Sequence, residues 1–309
     1  MIEALIKSGA LDELGPNRAT LLAALPLALQ AAEQHNRTVE AGQNDLFGLT
    51  AGASENNYGD DELSRYEELP EWNEIQRLSA EKETLGMYLT GHPIDRYEQD
   101  LPYLANGRIG ALISEGVGNS GNGRGRFGGP QRQVVVVGLV MDIRKRGGRV
   151  TTVLDDRTGR IEVTFFEETF NQFRNQITKD SVITVEGRMS FDEFINGYRI
   201  TAKGVKSIEA ARTESLRRMT LSWDASKASE DFVLHLKKIL SPYQGGTCPV
   251  WVHYKSTSAA VEMPLGDAWR VRPADELISK LEEALGREGI HLFYSHVVHP
   301  EAGPIRSAS

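Results

Sequence analysis

The sequence predicts a multidomain α+β protein with a helical N-terminal segment, a five-stranded β-barrel and a small C-terminal α+β domain. Three observations predict this organisation. Before residue 115, apolar residues recur at helical spacing. Between residues 131 and 210, β-branched runs are separated by turn residues and contain one short helix-like stretch. After residue 211, strand-like and helix-like segments alternate.

The N-terminal part contains three helix-like stretches. IEALIKSGALDEL forms the first, and ATLLAALPLALQAAEQ forms the second, which we expect to be interrupted or kinked near Pro26. The third runs from about Ser64 to Leu89 and stops at TGHP. We therefore expect a helical segment over 1–36, a linker over 37–62 and a helical connector over 63–115.

Two further segments lack any apolar period. Residues 116–130 contain seven glycines in fifteen positions, which predicts a flexible loop. The last residues, 296–309 (HVVHPEAGPIRSAS), predict a disordered tail.

Residues 131–210 predict an OB-fold domain. Three strands, QVVVVGLVMDIRKR, RVTTVLDD and RIEVTFF, precede a short helix in which Phe170 and Phe173 face inward. Two more strands follow, SVITVEGRMSFDEF and YRITAKGVKSI, joined by an Asn-Gly turn. A generic β-sandwich is the alternative, and the single helix between the third and fourth strands favours the OB barrel.

Residues 211–295 predict the C-terminal domain. The expected order is a strand LRRMTLSW, a helix EDFVLHLKKILSP, a strand TCPVWVHYK and a shorter strand AAVEMPLG. WRVRPADELISKLEEALG then passes from strand to helix, and GIHLFYS forms a final core strand.

Composition predicts a cytoplasmic protein that does not enter a membrane. No apolar run approaches the ~20 residues that span a bilayer, and the single cysteine, Cys248, excludes an internal disulfide. The net charge of −8 is uneven. Residues 1–100 carry 7 Lys+Arg against 19 Asp+Glu, whereas residues 101–210 carry 16 against 12. Simple electrostatics therefore favours the middle of the chain for nucleic-acid contact, although a net of +4 is also compatible with ordinary scatter.

The sequence contains no recognisable catalytic or metal site. The patterns G-x-x-x-x-G-K-[ST], G-x-S-x-G and H-E-x-x-H are absent. Adjacent acidic residues such as Asp155 and Asp156 point to opposite faces of a regular strand, and this pair heads the turn DDRTG. We expect no metal and no cofactor in this chain.

A basic cluster marks the turn between the first two barrel strands. Arg144, Lys145, Arg146 and Arg149 crowd this tip, which in an OB fold is one of the two loops that hold single-stranded nucleic acid. A soluble hairpin tip is the alternative. The opposite loop, SFDEFINGY, carries two acids and three aromatic residues, and we expect at least two of these aromatics to pack in the core.

The peptide GQNDLFG places two large apolar residues in the polar linker. Leu46 and Phe47 together carry roughly 3–6 kcal/mol of apolar transfer free energy, and the Gln43 amide both donates and accepts hydrogen bonds. Such a peptide can anchor in the pockets of a partner. From the residues alone, folding back onto neighbouring helices is an equal alternative.

Several segments together resemble the C-terminal third of the alpha subunit of bacterial DNA polymerase III, a replicative C-family polymerase. ETLGMYLTGHPIDRY is similar to the E-T-L-G-x-Y-L-T-G-H-P signature of that family. ALIKSGALDELGPNR resembles the end of its helix-hairpin-helix, clamp-binding region. VLDDRTGRIEVTFFEE resembles its OB domain, and WRVRPADELISKLEEALG resembles its terminal domain. The glycine-rich run and the tail depart from the family pattern.

The resemblance implies specific partners. QNDLF resembles the Q-x-x-L-F peptide that holds the sliding clamp, so Gln43, Asp45, Leu46 and Phe47 would bind the clamp (the beta subunit). Residues 211–295 would bind the tau subunit of the clamp loader, and the barrel would bind single-stranded template DNA. The full-length protein would be a Mg²⁺-dependent DNA-directed DNA polymerase, whereas this chain lacks the catalytic palm and is expected to be inactive alone. A free-standing OB-fold protein that binds single-stranded nucleic acid is the alternative.

Overall fold

The structure, a computed structural model, describes residues 1–40, 67–116, 131–224, 229–255 and 259–295. The predicted clamp peptide at 43–47, the glycine-rich run after Gly116 and the tail at 296–309 lie outside the described residues. The chain divides into two compact units, Met1–Pro93 and Ile94–Ser309.

The first unit is helical. It contains α1 (Ile2–Ser8), α2 (Arg18–Glu40) and α3 (Glu74–Leu85). Of the two alternatives expected at Pro26, the interruption is wrong, because α2 continues through this residue. α3 is also shorter than expected. It begins after Asn73, whose side chain accepts the Gln76 N–H in a capping box, and it ends at Gly86, which has a φ of 73°.

A buried ion-pair cluster organises this unit. The carboxylate of Glu81 on α3 is fully buried and accepts hydrogen bonds from the Leu89 and Thr90 N–H groups at 2.8 and 3.0 Å. It also accepts one from Arg18 Nη1 at 3.0 Å. Arg18 in turn makes two hydrogen bonds of 2.7 and 2.6 Å to Asp12. The cluster therefore fixes the loop after α3 against the start of α2.

The second unit begins with two short helices and a closed five-stranded barrel. The helices are α4 (Leu101–Leu104) and α5 (Ile109–Glu115). The barrel has the order β1-β2-β3-β5-β4, with β1 (Gln131–Arg146), β2 (Arg149–Asp155), β3 (Arg160–Phe166), β4 (Val182–Asp192) and β5 (Gly197–Ser207). A helix, α6 (Glu167–Phe173), lies between β3 and β4. The predicted OB barrel is therefore confirmed.

Two features close the barrel. β1 is 16 residues long and pairs with β4 through its first half and with β2 through its second half, with a register shift between Val140 and Asp142. β3 and β5 pair in parallel from Glu162 to Thr164. The interior is apolar and includes Val136, Leu154 and Phe165, each 0% exposed.

After α7 (Ile208–Ser215), the chain forms the predicted small α+β domain. Its four-stranded sheet has the order β10-β6-β8-β9, and two helices pack with the sheet in one apolar core. The elements are β6 (Leu216–Asp224), α8 (Glu230–Leu240), β7 (Gln244–Cys248), β8 (Val250–Lys255), β9 (Ala260–Pro264), α9 (Asp275–Leu285) and β10 (Ile290–Tyr294).

Two details of this domain differ from expectation. TCPVWVHYK is divided into β7 and β8 at Pro249, which lacks the N–H that a continuous ladder requires. The expected strand WRVR is reduced to Val271, which bridges to Gln244 and Cys248, because the preceding residues form a 3₁₀ turn, Asp267–Trp269.

A buried arginine links α7 to Asp100, just before α4, and to Asp275, the first residue of α9. Arg212 is 3% exposed at its side chain and donates to Asp100 from Nε and Nη2 at 3.2 and 2.5 Å. Its Nη1 donates to Asp275 Oδ1 at 2.9 Å and to the Pro273 carbonyl at 3.0 Å. All three nitrogens of the guanidinium thus donate hydrogen bonds within a buried site.

Two tyrosines complete this network. Tyr294 of β10 donates its hydroxyl hydrogen to Asp100, and Tyr97 donates to Asp275 Oδ2 at 2.5 Å. Burial, reinforced by the neighbouring carboxylates, raises the pKa of both tyrosine hydroxyls, so both remain protonated donors. The described barrel and the C-terminal domain are joined through this network.

Removing Arg212 should destabilise the second unit strongly. Arg212→Ala leaves the buried carboxylate of Asp100 without its cation and removes the closer of the two arginines beside the partly buried Asp275, so we expect the free energy of unfolding to fall by about 3–5 kcal/mol. Urea unfolding followed by the fluorescence of Trp223, Trp251 and Trp269 measures this. Lys206→Ala, which removes an exposed ion pair with Glu214, should cost less than about 1 kcal/mol. Equal losses in the two variants would contradict the structural role of Arg212.

Glu81 should make the first unit sensitive to acid. Burial would raise the pKa of Glu81, but hydrogen bonds from Thr90, Leu89 and Arg18 outweigh it and lower the pKa below its usual 4.5. A carboxyl with a lowered folded-state pKa stabilises the fold above its unfolded pKa, and this contribution is lost as pH falls through the folded-state value.

We therefore expect Glu81→Gln to lower the free energy of unfolding of the first unit by roughly 3 kcal/mol at neutral pH. The difference from wild type should shrink as pH falls below 4.5, when measured by urea unfolding at several pH values. The exposed Glu83 is the control, and Glu83→Gln should show a small effect. A difference for Glu81→Gln that stays constant with pH would contradict the assignment.

Candidate nucleic-acid interface

The β1–β2 hairpin presents the predicted basic cluster at its tip. Arg146 pairs directly with Arg149, and only Gly147 and Gly148 lie between them. These glycines have φ values of 56° and 73°, the left-handed conformation that a two-residue hairpin turn requires. The turn therefore brings all four predicted cations onto one exposed tip, which we call the basic hairpin (Arg144, Lys145, Arg146 and Arg149).

The four cations have different surroundings. Arg144 pairs with Asp142 at 2.7 Å, and this hydrogen bond holds the pKa of the Asp142 carboxyl below its usual value. Among the described residues, Lys145, Arg146 and Arg149 have no acidic partner. A tip with three uncompensated cations has a local positive potential that attracts phosphate.

Two aromatic rings lie beside the basic hairpin. Lys145 Nζ is 4.9 Å from the ring centroid of Phe170, and the Arg149 guanidinium carbon is 5.8 Å from that of Phe166. Phe170 is buried in the barrel core, as predicted, whereas Phe166 is 50% exposed. Phe166 was not among the predicted site residues. The sequence feature that indicates its exposure is the doublet Phe165-Phe166 at the end of a strand. Because successive residues of a strand face opposite sides, only one of the two rings can enter the core.

The outward face of β2 and β3 extends from this tip. Arg149 pairs with Phe166, Thr151 with Thr164, and Val153 with Glu162. The Thr164 Oγ1 atom is buried on this face without a hydrogen-bond partner. Glu162 at the other end pairs with Arg199 of β5, which follows the β4–β5 loop. The face therefore runs from the basic hairpin toward that loop.

The tip of the β4–β5 hairpin, residues 191–198, exposes two of its three aromatic residues; we call it the aromatic loop. Phe194 is 101% exposed and Phe191 is 48% exposed. Only Tyr198 packs against the barrel core, with its ring centroid 5.4 Å from that of Phe191. The expectation that at least two of these rings are buried is therefore wrong, because the hairpin extends past the barrel wall and leaves its tip in solvent.

The acids of this loop oppose phosphate less than their number suggests. Asp192 accepts a hydrogen bond from the Phe194 N–H at 2.9 Å and pairs with Arg199 Nη1 at 2.7 Å. Its charge is therefore matched by a neighbouring guanidinium. Glu193 is exposed at the tip.

The paired carboxylates Asp155 and Asp156 have structural roles. Asp156 Oδ1 accepts from the Thr158 and Gly159 N–H groups at 3.0 and 3.1 Å, as predicted for the turn. Its Oδ2 accepts the Ile109 N–H at 2.7 Å and so also caps α5. Across the described ranges, no group of three or more His, Cys, Asp or Glu side chains could hold a metal ion. Within the same ranges, no helix is long and apolar enough to cross a membrane.

The barrel and its exposed face define the class of this protein. Residues 134–208 match the family model described as "OB-fold nucleic acid binding domain". Residues 235–286 match the model described as "DNA polymerase III subunit alpha, C-terminal domain". The chain thus contains an OB-fold domain followed by a domain of the DNA polymerase III alpha C-terminal type.

The relatives identify the family. DNA polymerase III subunit alpha of Vibrio cholerae is 35% identical over 303 residues, covering 96% of this chain and 24% of the relative. The subunit of Pseudomonas aeruginosa is 36% identical over 314 residues, and that of Escherichia coli K12 is 35% identical over 295 residues. These matches cover 95% and 94% of this chain. The chain belongs to the DNA polymerase III alpha-subunit family and corresponds to its C-terminal region.

The match covers only part of each relative. The chain spans about a quarter of the length of the curated relatives it matches. Among solved structures, a replication protein A heterotrimer bound to single-stranded DNA is 21% identical, with a TM-score of 0.22. This match covers 25% of this chain and 57% of the matched chain. A likeness at that level supports no functional conclusion.

Proposed function

We propose that this chain serves a replicative DNA polymerase by holding the single-stranded template and by tethering the polymerase to its accessory proteins. The observation that carries the proposal is the basic hairpin beside exposed aromatic rings on the barrel of a chain homologous to DNA polymerase III subunit alpha. Cations neutralise phosphates and rings stack on bases, which is how single strands are held without strong sequence preference.

The proposed path of the strand follows the outward face of β2 and β3. Phosphates contact Arg144, Lys145, Arg146 and Arg149 at one end. Bases stack on Phe166 and, toward the other end, on Phe191 and Phe194. The exposure of these three rings supports the assignment, because large aromatic side chains in water gain most from a flat partner.

Polymerisation is proposed for the whole protein. The relatives carry the name of a polymerase subunit, and they are about four times as long as the matched region. We assign the Mg²⁺-dependent nucleotidyl transfer to the full-length protein and expect none from this chain alone.

The proposed tether to the sliding clamp is the peptide at 43–47, which lies outside the described residues. Leu46 and Phe47 would fill apolar pockets on the clamp, Gln43 would supply hydrogen bonds, and Asp45 would lie between these anchors. The proposed second tether, to the tau subunit of the clamp loader, lies in residues 211–295. Its support is the family resemblance of this segment, of which residues 235–286 match the C-terminal domain model of DNA polymerase III subunit alpha.

Removing the hairpin cations should weaken binding to single-stranded DNA and flatten its dependence on salt. Each phosphate contact on a single strand contributes about 0.7 to the slope of log K against log salt, so replacing Arg144, Lys145 and Arg146 by Ala should lower the slope by about 2. Fluorescence anisotropy with a labelled oligonucleotide at several salt concentrations measures it.

The matched control removes three exposed cations elsewhere on the barrel domain, Arg174, Arg188 and Lys203. This variant has the same net charge as the first, so non-specific attraction falls equally in both. We expect it to keep most of the wild-type slope. If the two triple variants have the same slope, the basic hairpin has no special role.

The clamp proposal has an independent test. Leu46→Ala combined with Phe47→Ala removes roughly 3 kcal/mol or more of apolar transfer free energy, so affinity for the sliding clamp should fall at least about 100-fold. Isothermal titration or surface plasmon resonance with the purified clamp measures this. Leu49→Ala combined with Tyr58→Ala, in the same linker, should leave binding unchanged. A free-standing single-strand-binding protein would not bind the clamp at all.

A further inference from the structure

A cleft opens between the turn of the basic hairpin and the start of α6. It has a volume of about 530 Å³ and is lined by Gly148, Phe166, Glu167, Glu168 and Asn171. A nucleobase is flat and much smaller than this volume, so the cleft can admit one base with water beside it. The cleft adjoins Arg149, which is one of the residues proposed to hold phosphate.

One wall of the cleft is an aromatic ring. Phe166 is half exposed, and its partner across the ladder is Arg149. A base entering beside the ring would gain stacking energy, while its own phosphate would remain near the guanidinium. The ring and the cation are on adjacent strands of a closed barrel, so the spacing of their backbone positions is fixed before any ligand arrives.

The remaining side chains that line the cleft are polar or acidic. The carboxylates of Glu167 and Glu168 have no ion-pair or hydrogen-bond partner among the described residues. Glu167 Oε2 lies 3.8 Å from the position that a Cβ on Gly148 would take, so this carboxylate reaches across toward the hairpin turn. An unpaired carboxylate is a pure acceptor of hydrogen bonds.

We propose that this cleft holds one unstacked base of the bound strand, and that Glu167 favours a base with an exocyclic amino group over one with a carbonyl there. The inference rests on the proposed single-strand binding and adds a base preference to it. A carboxylate accepts from the N4 amino group of cytosine, as side-chain carboxylates do in duplex recognition. It repels the O4 carbonyl of uracil or thymine.

The test compares oligo(dC) with oligo(dU), because these two bases differ only in the amino group and in the adjacent ring nitrogen. With strands of about 12 nucleotides, near neutral pH, we expect wild type to bind oligo(dC) about tenfold more tightly. That is the effect of one hydrogen bond to a charged group. Competition anisotropy measures both affinities in one experiment.

Glu167→Gln should abolish the preference. An amide both donates and accepts, so it serves either base, and we expect the dC:dU ratio to fall to about one while affinity for oligo(dU) rises. Glu186→Gln is the matched control, because it removes one exposed carboxylate from β4, on the other side of the barrel. It should leave the ratio at its wild-type value.

Phe166→Leu provides a second variant, which keeps an apolar side chain but removes the stacking surface. It should weaken binding of both oligonucleotides by about fivefold and keep the order of their affinities. Retained affinity in this variant would overturn the placement of the base against the ring.

Three further outcomes would overturn the inference. Equal affinity of wild type for the two oligonucleotides would remove the base preference while leaving the proposed DNA binding intact. An equal rise for both in Glu167→Gln would mean that the carboxylate acts only through its charge. No binding of either oligonucleotide, at low salt, would remove the proposed DNA binding and this inference together.

Discussion

The second unit depends on one buried cation. Arg212 brings together Asp100, which precedes the barrel, and Asp275, which lies in the C-terminal domain. A buried guanidinium is costly unless it is paired and hydrogen-bonded, so Arg212 favours the arrangement in which the three segments are together. Tyr97 and Tyr294 add hydrogen bonds from the same two flanks. The Arg212 charge therefore favours the complete arrangement, because an arrangement that lacks one of the segments leaves some of its hydrogen bonds and ion pairs unformed.

Ion pairs also determine the distribution of charge on the barrel surface. Asp142, Asp155 and Asp192 each pair with a nearby arginine, whereas Glu167 and Glu168 beside the basic hairpin have no partner among the described residues. Lys145, Arg146 and Arg149 keep their charge without an acidic partner among the described residues. The positive charge of the basic hairpin and the negative charge of Glu167 and Glu168 therefore lie side by side at this end of the barrel.

Local patterns predicted the barrel, and long-range contacts explain what they missed. Alternation placed the strands and the Gly-Gly turn, and Asp156 was identified as the cap of its own turn. The second role of Asp156, at the start of α5, depends on a residue 47 positions earlier and has no local signal. The Arg212 network spans still larger separations. The exposure of Phe194 was missed because composition does not reveal how far a hairpin extends beyond its barrel.

The contact between α5 and the β2–β3 turn has a consequence for evolution. Ile109 and Leu112 of α5 belong to the barrel core, and a side chain at Gly110 would meet the Thr158 carbonyl oxygen at 2.6 Å. A genetic exchange that moved only residues 131–210 into another protein would leave α5 behind. The barrel would then lack part of its core and the helix that packs on the β2–β3 turn. The segment that must be inherited together therefore includes α5 as well as the barrel. Recombination between α5 and β1 would be selected against.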